Sequence, residues 1–212
     1  MMGLGATSPR RGDRPVDNAM TKERLEAFSD GVFAIIITIL VLNLKTPHGT
    51  TFAALRPVLI PWVNYVLTFV YIGIYWSNHH HLFRLAHSVT GTVLLTNLLL
   101  LFWISMLPFV TGWMGASHFA TVPVFVYGTV LLACAISYYI LERTILSNEG
   151  PNSVLAGALG NDVKGLVSVG IYVVALGLVF LNRWIAVALY TVVALMWLIP
   201  DRRIERAAPA HH

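Results

Sequence analysis

The chain has 212 residues, of which 57% are hydrophobic and only 11% charged. Soluble domains carry about 25% charged residues, so a water-soluble core is excluded and a polytopic membrane protein is implied. The formal charge of +4 is scattered around the ends of apolar segments and lines no single face, which argues against nucleic acid as a partner.

Six apolar segments follow one another, each near the ~20 residues that cross a bilayer, and the fold class expected is all-α. Residues 1–21 precede them with Arg10, Arg11 and Arg14 but no apolar run; they are expected to be a disordered cytoplasmic tail and not a signal peptide. The transmembrane domain is expected over 22–200, with 201–212 as a cytoplasmic C-terminal tail. The first span runs from Lys22 to Leu44 and ends at "KTPHGT"; the second runs from Pro61 to Phe83. Pro61 suits a first-turn position, where its missing N–H costs nothing. The third spans Val89 to Trp113, and Pro108 of "MLPF" should end or kink it. The fourth covers Thr121 to Ile145. The fifth, Val163 to Leu181, and the sixth, Trp184 to Ile199, are joined by Asn182–Arg183 as a tight hairpin. The fourth to sixth spans hold almost no intramembrane polar residues beyond hydroxyls and are read as scaffold. The single cysteine, Cys134, permits no intrachain disulfide.

Lysine and arginine set the expected orientation. With six spans both termini share a side, and eleven of the fourteen Lys and Arg residues collect there, against Lys45, Arg56 and Arg183 on the other. Both termini are therefore expected in the cytoplasm.

The first span reads "RLEAFSDGVFAIIITILVLNL". At about 100° per residue, Arg24, Phe28, Ile35, Ile39 and Leu42 share one narrow stripe, with Thr38 just beside it. Ser29 and Asp30 point away from it. An ionisable group at such depth faces protein or water, so Asp30 should be buried against a neighbouring helix of its own subunit, with a partner.

The second span supplies partners in "YWSNHHHLFR". Trp76 and His80 are four apart and share a face, as do Asn78 and Leu82. His79, His80 and His81 point about 100° apart and cannot ligate one ion together, so no metal site is expected. His79 or His80 is read as a structural donor to Asp30, Ser29 or a backbone carbonyl. In the third span Asn97 is the best candidate for an interhelical hydrogen bond. Val126–Tyr127–Gly128 echoes a carbonyl selectivity filter but lacks its flanking residues and a re-entrant loop.

R-x-x-x-F-S-D at Arg24, Phe28, Ser29 and Asp30, followed by "YWSNHHHLF" and "LPF", resembles the prokaryotic branch of the lysosomal potassium channel family (transmembrane protein 175 type). The match covers the first three spans well; the last three match mainly in number and hydropathy. The resemblance implies a cation channel favouring potassium, without the usual filter and without enzymatic activity, whose partners are monovalent cations, the lipid bilayer and three further copies of the chain. It implies no cofactor beyond permeant K+. It implies that the first helix lines a central pore, with Ile35 as the constriction, Ile39 and Leu42 as further pore positions and Thr38 as an adjacent polar layer. The motif residues would hold that helix through polar contacts. Polar substitution at Ile35 should then matter, and at Ile36, about 100° around the helix, much less. A prokaryotic cell membrane is the expected location. The competing reading is a secondary transporter with alternating access, which predicts broken helices around a polar midplane site.

Overall fold

The structure, a computed structural model, describes residues 21–150, 153–159 and 163–198. Of the expected tails at 1–21 and 201–212, only Thr21 falls within the described residues, where its side chain caps α1. Those described form helices α1 (Lys22–Val41), α2 (Arg56–Leu85), α3 (Gly91–Ser105), α4 (Leu107–Ala116), α5 (Thr121–Glu149), a short α6 (Val154–Leu159), α7 (Val163–Leu178) and α8 (Arg183–Leu198), with one 3-10 turn at Phe52–Leu55 and no strand.

Three helical stretches are long and apolar enough to cross a membrane, Phe52–Leu85, Gly91–Ala116 and Thr121–Glu149; α7 and α8 are shorter apolar helices. The sequence placed several boundaries differently. Helix α1 stops at Val41, three residues early. Helix α2 starts at Arg56, so Pro57 takes the first-turn position and Pro61 lies inside the helix. The third apolar segment is two helices, broken at Met106 two residues before Pro108. Helix α5 continues to Glu149, where Gly150 (φ +84°) ends it in the left-handed conformation that suits glycine.

Helix α5 is the central column, packed by α3, α4, α7 and α8, while α1 sits at the margin against α2, α3 and α4. Side-chain contacts define two ends of the bundle. At one, Lys22 reaches the α2–α3 connection and Glu149 grips the same connection. At the other, Asn43 meets the start of α4 and Phe119 stacks on Trp184. These are called the Lys22 end and the Lys45 end below.

Close packing is purchased with small residues at two places. A Cβ on Gly128 of α5 would lie 1.9 Å from the Tyr190 hydroxyl, so that glycine admits α8. The tripeptide with an echo of a filter thus serves helix packing. A Cβ on Gly112 of α4 would lie 2.9 Å from Asn43 Oδ1, so that glycine admits the end of α1.

A buried polar column threads the centre. The Thr68 hydroxyl donates to Asn64 O at 3.0 Å, so Thr111 (2.9 Å) and Tyr127 (3.1 Å) must donate into it. Tyr71 donates its hydroxyl to Tyr190 O, linking α2 to α8. In the fourth to sixth apolar segments the buried polar side chains described are hydroxyls, as expected, with Glu142 (2% exposed) as the departure.

Candidate functional site

Helix α1 has one face buried and one face open. Leu25, Ser29, Phe33, Ile36 and Leu40 are buried, at spacings of three and four. On the other face Phe28 (50%), Ile35 (58%), Ile39 (46%) and Leu42 (79%) are exposed in the single subunit, and Arg24 and Thr38 are exposed with them. The stripe found on the helical wheel is the face the subunit leaves uncovered.

In a bilayer, apolar burial gives little force between helices, because lipid tails are as apolar as the side chains. What fixes the rotation of α1 is its polar contacts, and these occur along its whole length on the covered side. At the Lys22 end, Lys22 Nζ donates to Ala86 O at 2.8 Å and Arg84 O at 3.3 Å, carbonyls at the end of α2. About two turns further in, Asn97 Nδ2 donates to Ser29 Oγ at 3.0 Å, and Ser29 donates to Leu25 O of its own helix at 2.9 Å. With its amide so committed, Asn97 presents Oδ1 to His79 Nε2 at 2.7 Å, which makes Nε2 the protonated nitrogen of that ring. Ser29, His79 and Asn97 are all buried. Phe33 and Phe83 pack on the His79 ring, with centroids at 5.5 and 4.5 Å. At the Lys45 end, Asn43 Nδ2 donates to Pro108 O at 2.7 Å.

Asp30 has the partner expected of it but not the burial. Trp76 Nε1 donates to its Oδ1 at 2.9 Å, and both residues are exposed in the single subunit. His80 stacks on Trp76 at a centroid distance of 6.2 Å and is also exposed. The physical reason is geometric: Asp30 lies 100° beyond Ser29 and so falls at the edge of the covered face. Of the two histidines read as donors to Asp30, Ser29 or a backbone carbonyl, His79 bonds Asn97, which in turn bonds Ser29, and His80 stacks on Trp76. The hydrogen bonds of Asn78 do not go to α1. Its amide donates to Ile74 O at 2.8 Å and its carbonyl accepts from Tyr138 at 3.2 Å.

Sequence reasoning missed Lys22 and Asn43, the two end attachments. Lys22 was counted only as a topology charge, and Asn43 stood beyond the motif with no spacing to mark its partner 65 residues on. It also missed Glu149, whose carboxylate accepts from His87 N at 2.7 Å and His87 Nδ1 at 2.6 Å. The Thr38 hydroxyl donates to Ile35 O at 2.8 Å, which turns its oxygen lone pairs away from its own backbone.

The described residues thus form an all-helical apolar bundle with one marginal helix, held by polar contacts on one side and bare on the other. The family model described as the endosomal/lysosomal potassium channel TMEM175 matches residues 24–108, the stretch from Arg24 to Pro108 that contains Ser29, Asp30, Trp76, His79 and Asn97. A potassium channel of Chryseobacterium sp. (strain P1-3) is 51% identical over 89% of this chain and 98% of its own length. The mouse endosomal/lysosomal proton channel TMEM175 is 34% identical over 57% of this chain, a match that spans 26% of the mouse protein. The crystal structure of a lysosomal potassium-selective channel TMEM175 homologue from Chamaesiphon minutus superposes with a TM-score of 0.70 at 29% identity, covering 85% of this chain and 97% of that one. The chain belongs to the TMEM175 family. Its relatives and its structural neighbour are ion channels, not enzymes.

Proposed function

We propose that the protein is a potassium-permeable cation channel of a prokaryotic cell membrane, formed by four copies around α1, with both termini cytoplasmic. The observation that carries this reading is the bare face of α1: Ile35, Thr38, Ile39 and Leu42 are uncovered in the subunit, while the opposite face is fixed by Lys22, Ser29 and Asn43. One pore helix per chain requires several chains to close a pore, and the family resemblance implies four. Helix α1 is about 30 Å long at 1.5 Å per residue, enough for one crossing. Six crossings follow if α7 and α8 each cross, joined by the short turn before Arg183.

A pore walled by helices offers ions no free backbone carbonyls, since these are bonded four residues on. A ring of Ile35 side chains would act as an apolar constriction that dewets and raises the barrier to ions. Thr38 would supply the adjacent polar layer. Its hydroxyl proton is engaged by Ile35 O, so its lone pairs are what a cation or its hydration water would meet.

The competing transporter reading draws on the helix break at Met106, since transporters place discontinuous helices at their substrate sites. Purified protein in liposomes decides. Potassium flux exceeding sodium flux down a simple gradient, with unitary currents in planar bilayers, supports the channel. Flux that requires a second ion in fixed ratio supports the transporter.

A further inference from the structure

The two ends of α1 differ in charge. At the Lys22 end the helix carries Glu23, Glu26 and Asp30 beside Lys22 and Arg24. At the other end stands Lys45, exposed and three residues past Leu42. No aspartate or glutamate occurs between Asp30 and Glu142. The connections at 42–55, 117–120 and 179–182 therefore bring no carboxylate to the Lys45 end, and Arg56 and Arg183 add further positive charge there.

The backbone holds Lys45 in place. Beyond Val41 the chain keeps turning, with Leu42 N–H donating to Ile39 O, Asn43 N–H to Leu40 O and Leu44 N–H to Val41 O at 3.0, 3.3 and 3.0 Å. Asn43, two residues before Lys45, is tied to Pro108 O at 2.7 Å. A cavity of about 420 Å³ at this end has both Leu42 of the bare stripe and Lys45 in its wall. The charge and the end of the stripe thus border one space.

We propose that Lys45, repeated in each copy, forms a ring of positive charge at one mouth of the pore and slows potassium entry from that side. Potassium then passes more readily from the Lys22 end to the Lys45 end than in reverse. The inference rests on α1 lining a pore shared by four copies. Cation channels use rings of Asp or Glu to favour cations, and a lysine ring acts in the opposite sense. With both termini cytoplasmic, the bias is toward potassium efflux.

The size of the effect follows from Coulomb's law. Four unit charges ~10 Å from the axis, screened over a Debye length of ~10 Å at ~0.1 M salt, lower cation occupancy at the mouth about threefold. At ~1 M salt the screening length is ~3 Å and the effect all but vanishes. The helix C-terminus contributes about −0.5 charge of its own, half of what Lys45 brings, so each copy stays positive.

Single-channel currents of the full chain in planar bilayers, with equal KCl on both sides, test this. Lys45→Cys supplies an accessible thiol, and the native Cys134 is buried. A negatively charged sulfonatoethyl or a positively charged trimethylammonium methanethiosulfonate is added to one compartment, and a response identifies channels whose Lys45 end faces it. At ~0.1 M KCl the negative adduct should carry about tenfold more potassium inward from that side than the positive adduct, and the positive adduct should match wild type. At ~1 M KCl the two adducts should conduct alike. Lys45→Gln, without reagent, should reduce the wild-type asymmetry about threefold at ~0.1 M KCl. Arg183→Cys, at the start of α8, which packs on α2, α5 and α7, should show no difference between the reagents. Equal currents from the two Lys45→Cys adducts at ~0.1 M overturn the inference, as does a difference undiminished at ~1 M or an equal response at Arg183→Cys. If one of these occurs while Ile35→Asn still alters flux, the pore reading stands and only the ring falls. If Ile35→Asn is silent as well, α1 lines no pore and both fall.

Discussion

Asn97 donates its side-chain amide to the Ser29 hydroxyl at 3.0 Å, joining α3 to α1 at a point where both residues are fully buried. The bond does not stand alone. It fixes which end of the Asn97 amide faces His79, and so which nitrogen of that ring carries the proton. Removing any member strands the others.

Asn97→Leu should therefore cost more than Ser29→Ala. The first leaves His79 Nε2–H without an acceptor in an apolar surround, at about 1–3 kcal/mol, and removes the donor to Ser29, whose hydroxyl keeps only its bond to Leu25 O. The second leaves only one amide hydrogen unpaired and should cost about 1 kcal/mol. His79→Gln, which can place an amide N–H toward Asn97 Oδ1, should recover part of what His79→Leu loses. Melting temperatures in detergent, with the Ser29→Ala/Asn97→Leu double variant closing the cycle, measure the coupling; additive losses would show that the two residues act separately.

Two glycines make opposite predictions from the same kind of contact. Gly112→Ala meets the tip of a flexible side chain, Asn43 Oδ1, which can swing away at the loss of its bond to Pro108 O. The expected cost is about 1 kcal/mol, with folding intact and the Lys45 end of α1 released. Gly128→Ala meets the Tyr190 ring, with Cζ at 2.5 Å, and that ring is buried and bonded. It should cost over ~3 kcal/mol or prevent folding. Yield and melting temperature of the two variants test the contrast, and similar values for both would contradict it.

The grip of Glu149 on the α2–α3 connection predicts a pH dependence. Partial burial raises the pKa of this carboxyl, but the hydrogen bonds from His87 N–H, the His87 ring and Ser88 N–H outweigh it, so it sits below its ordinary value. A lowered folded pKa gives stability that is present above the ordinary carboxylate range and lost as pH falls through the folded value. At neutral pH Glu149→Gln should lower the melting temperature by a few degrees at most, about 1 kcal/mol for a pair whose histidine is exposed. The difference between wild type and variant should vanish on acidification below pH ~4. A difference that persists unchanged at acid pH would show that the carboxylate charge plays no part.

Asp30 and Trp76 are exposed in the subunit yet bonded to each other, beside His80 and the bare stripe. In the proposed tetramer this patch lies where copies meet. Asp30→Asn keeps an acceptor for Trp76 Nε1 and should assemble; Asp30→Ala should lower the tetramer fraction in native mass spectrometry. A normal tetramer with altered ion preference in Asp30→Ala would place the carboxylate in the ion path instead.

The sequence made α1 legible because a charged head and an unequal helical face coincide in it. Its stripe could be read from spacing; a partner for Asp30 on α2 was expected, but the donor is Trp76 and not a histidine. The deep column of Thr68, Thr111, Tyr71, Tyr127 and Tyr190 could not. In lipid, helices are apolar all round, so periodicity does not distinguish a face against protein from a face against acyl chains. Tyrosine adds no signal, being common at membrane interfaces as well. Pro108 announced the break in the third segment, whereas Pro61, which reads as a first-turn residue, lies inside α2, and Pro57 holds the first turn. Attachments such as Lys22 to Ala86 and Asn43 to Pro108 join residues more than sixty positions apart, where local pattern is silent. Ile36 changes meaning once the structure is seen: at 4% exposure it is a core residue, so a polar substitution there would report folding and cannot serve as a quiet control.

The measurement that bears most directly on the bare face of α1 is potassium flux into liposomes for Ile35→Asn beside Val173→Asn. Val173 is exposed to a similar degree, 55% against 58%, but lies on α7, which packs against α5 and α8 and not against α1. If Ile35 forms the constriction, its asparagine variant wets the ring, potassium flux rises severalfold and discrimination against sodium falls, while Val173→Asn conducts as wild type. Indistinguishable flux from the two variants, at equal reconstituted protein, would show that the stripe of α1 lines no pore.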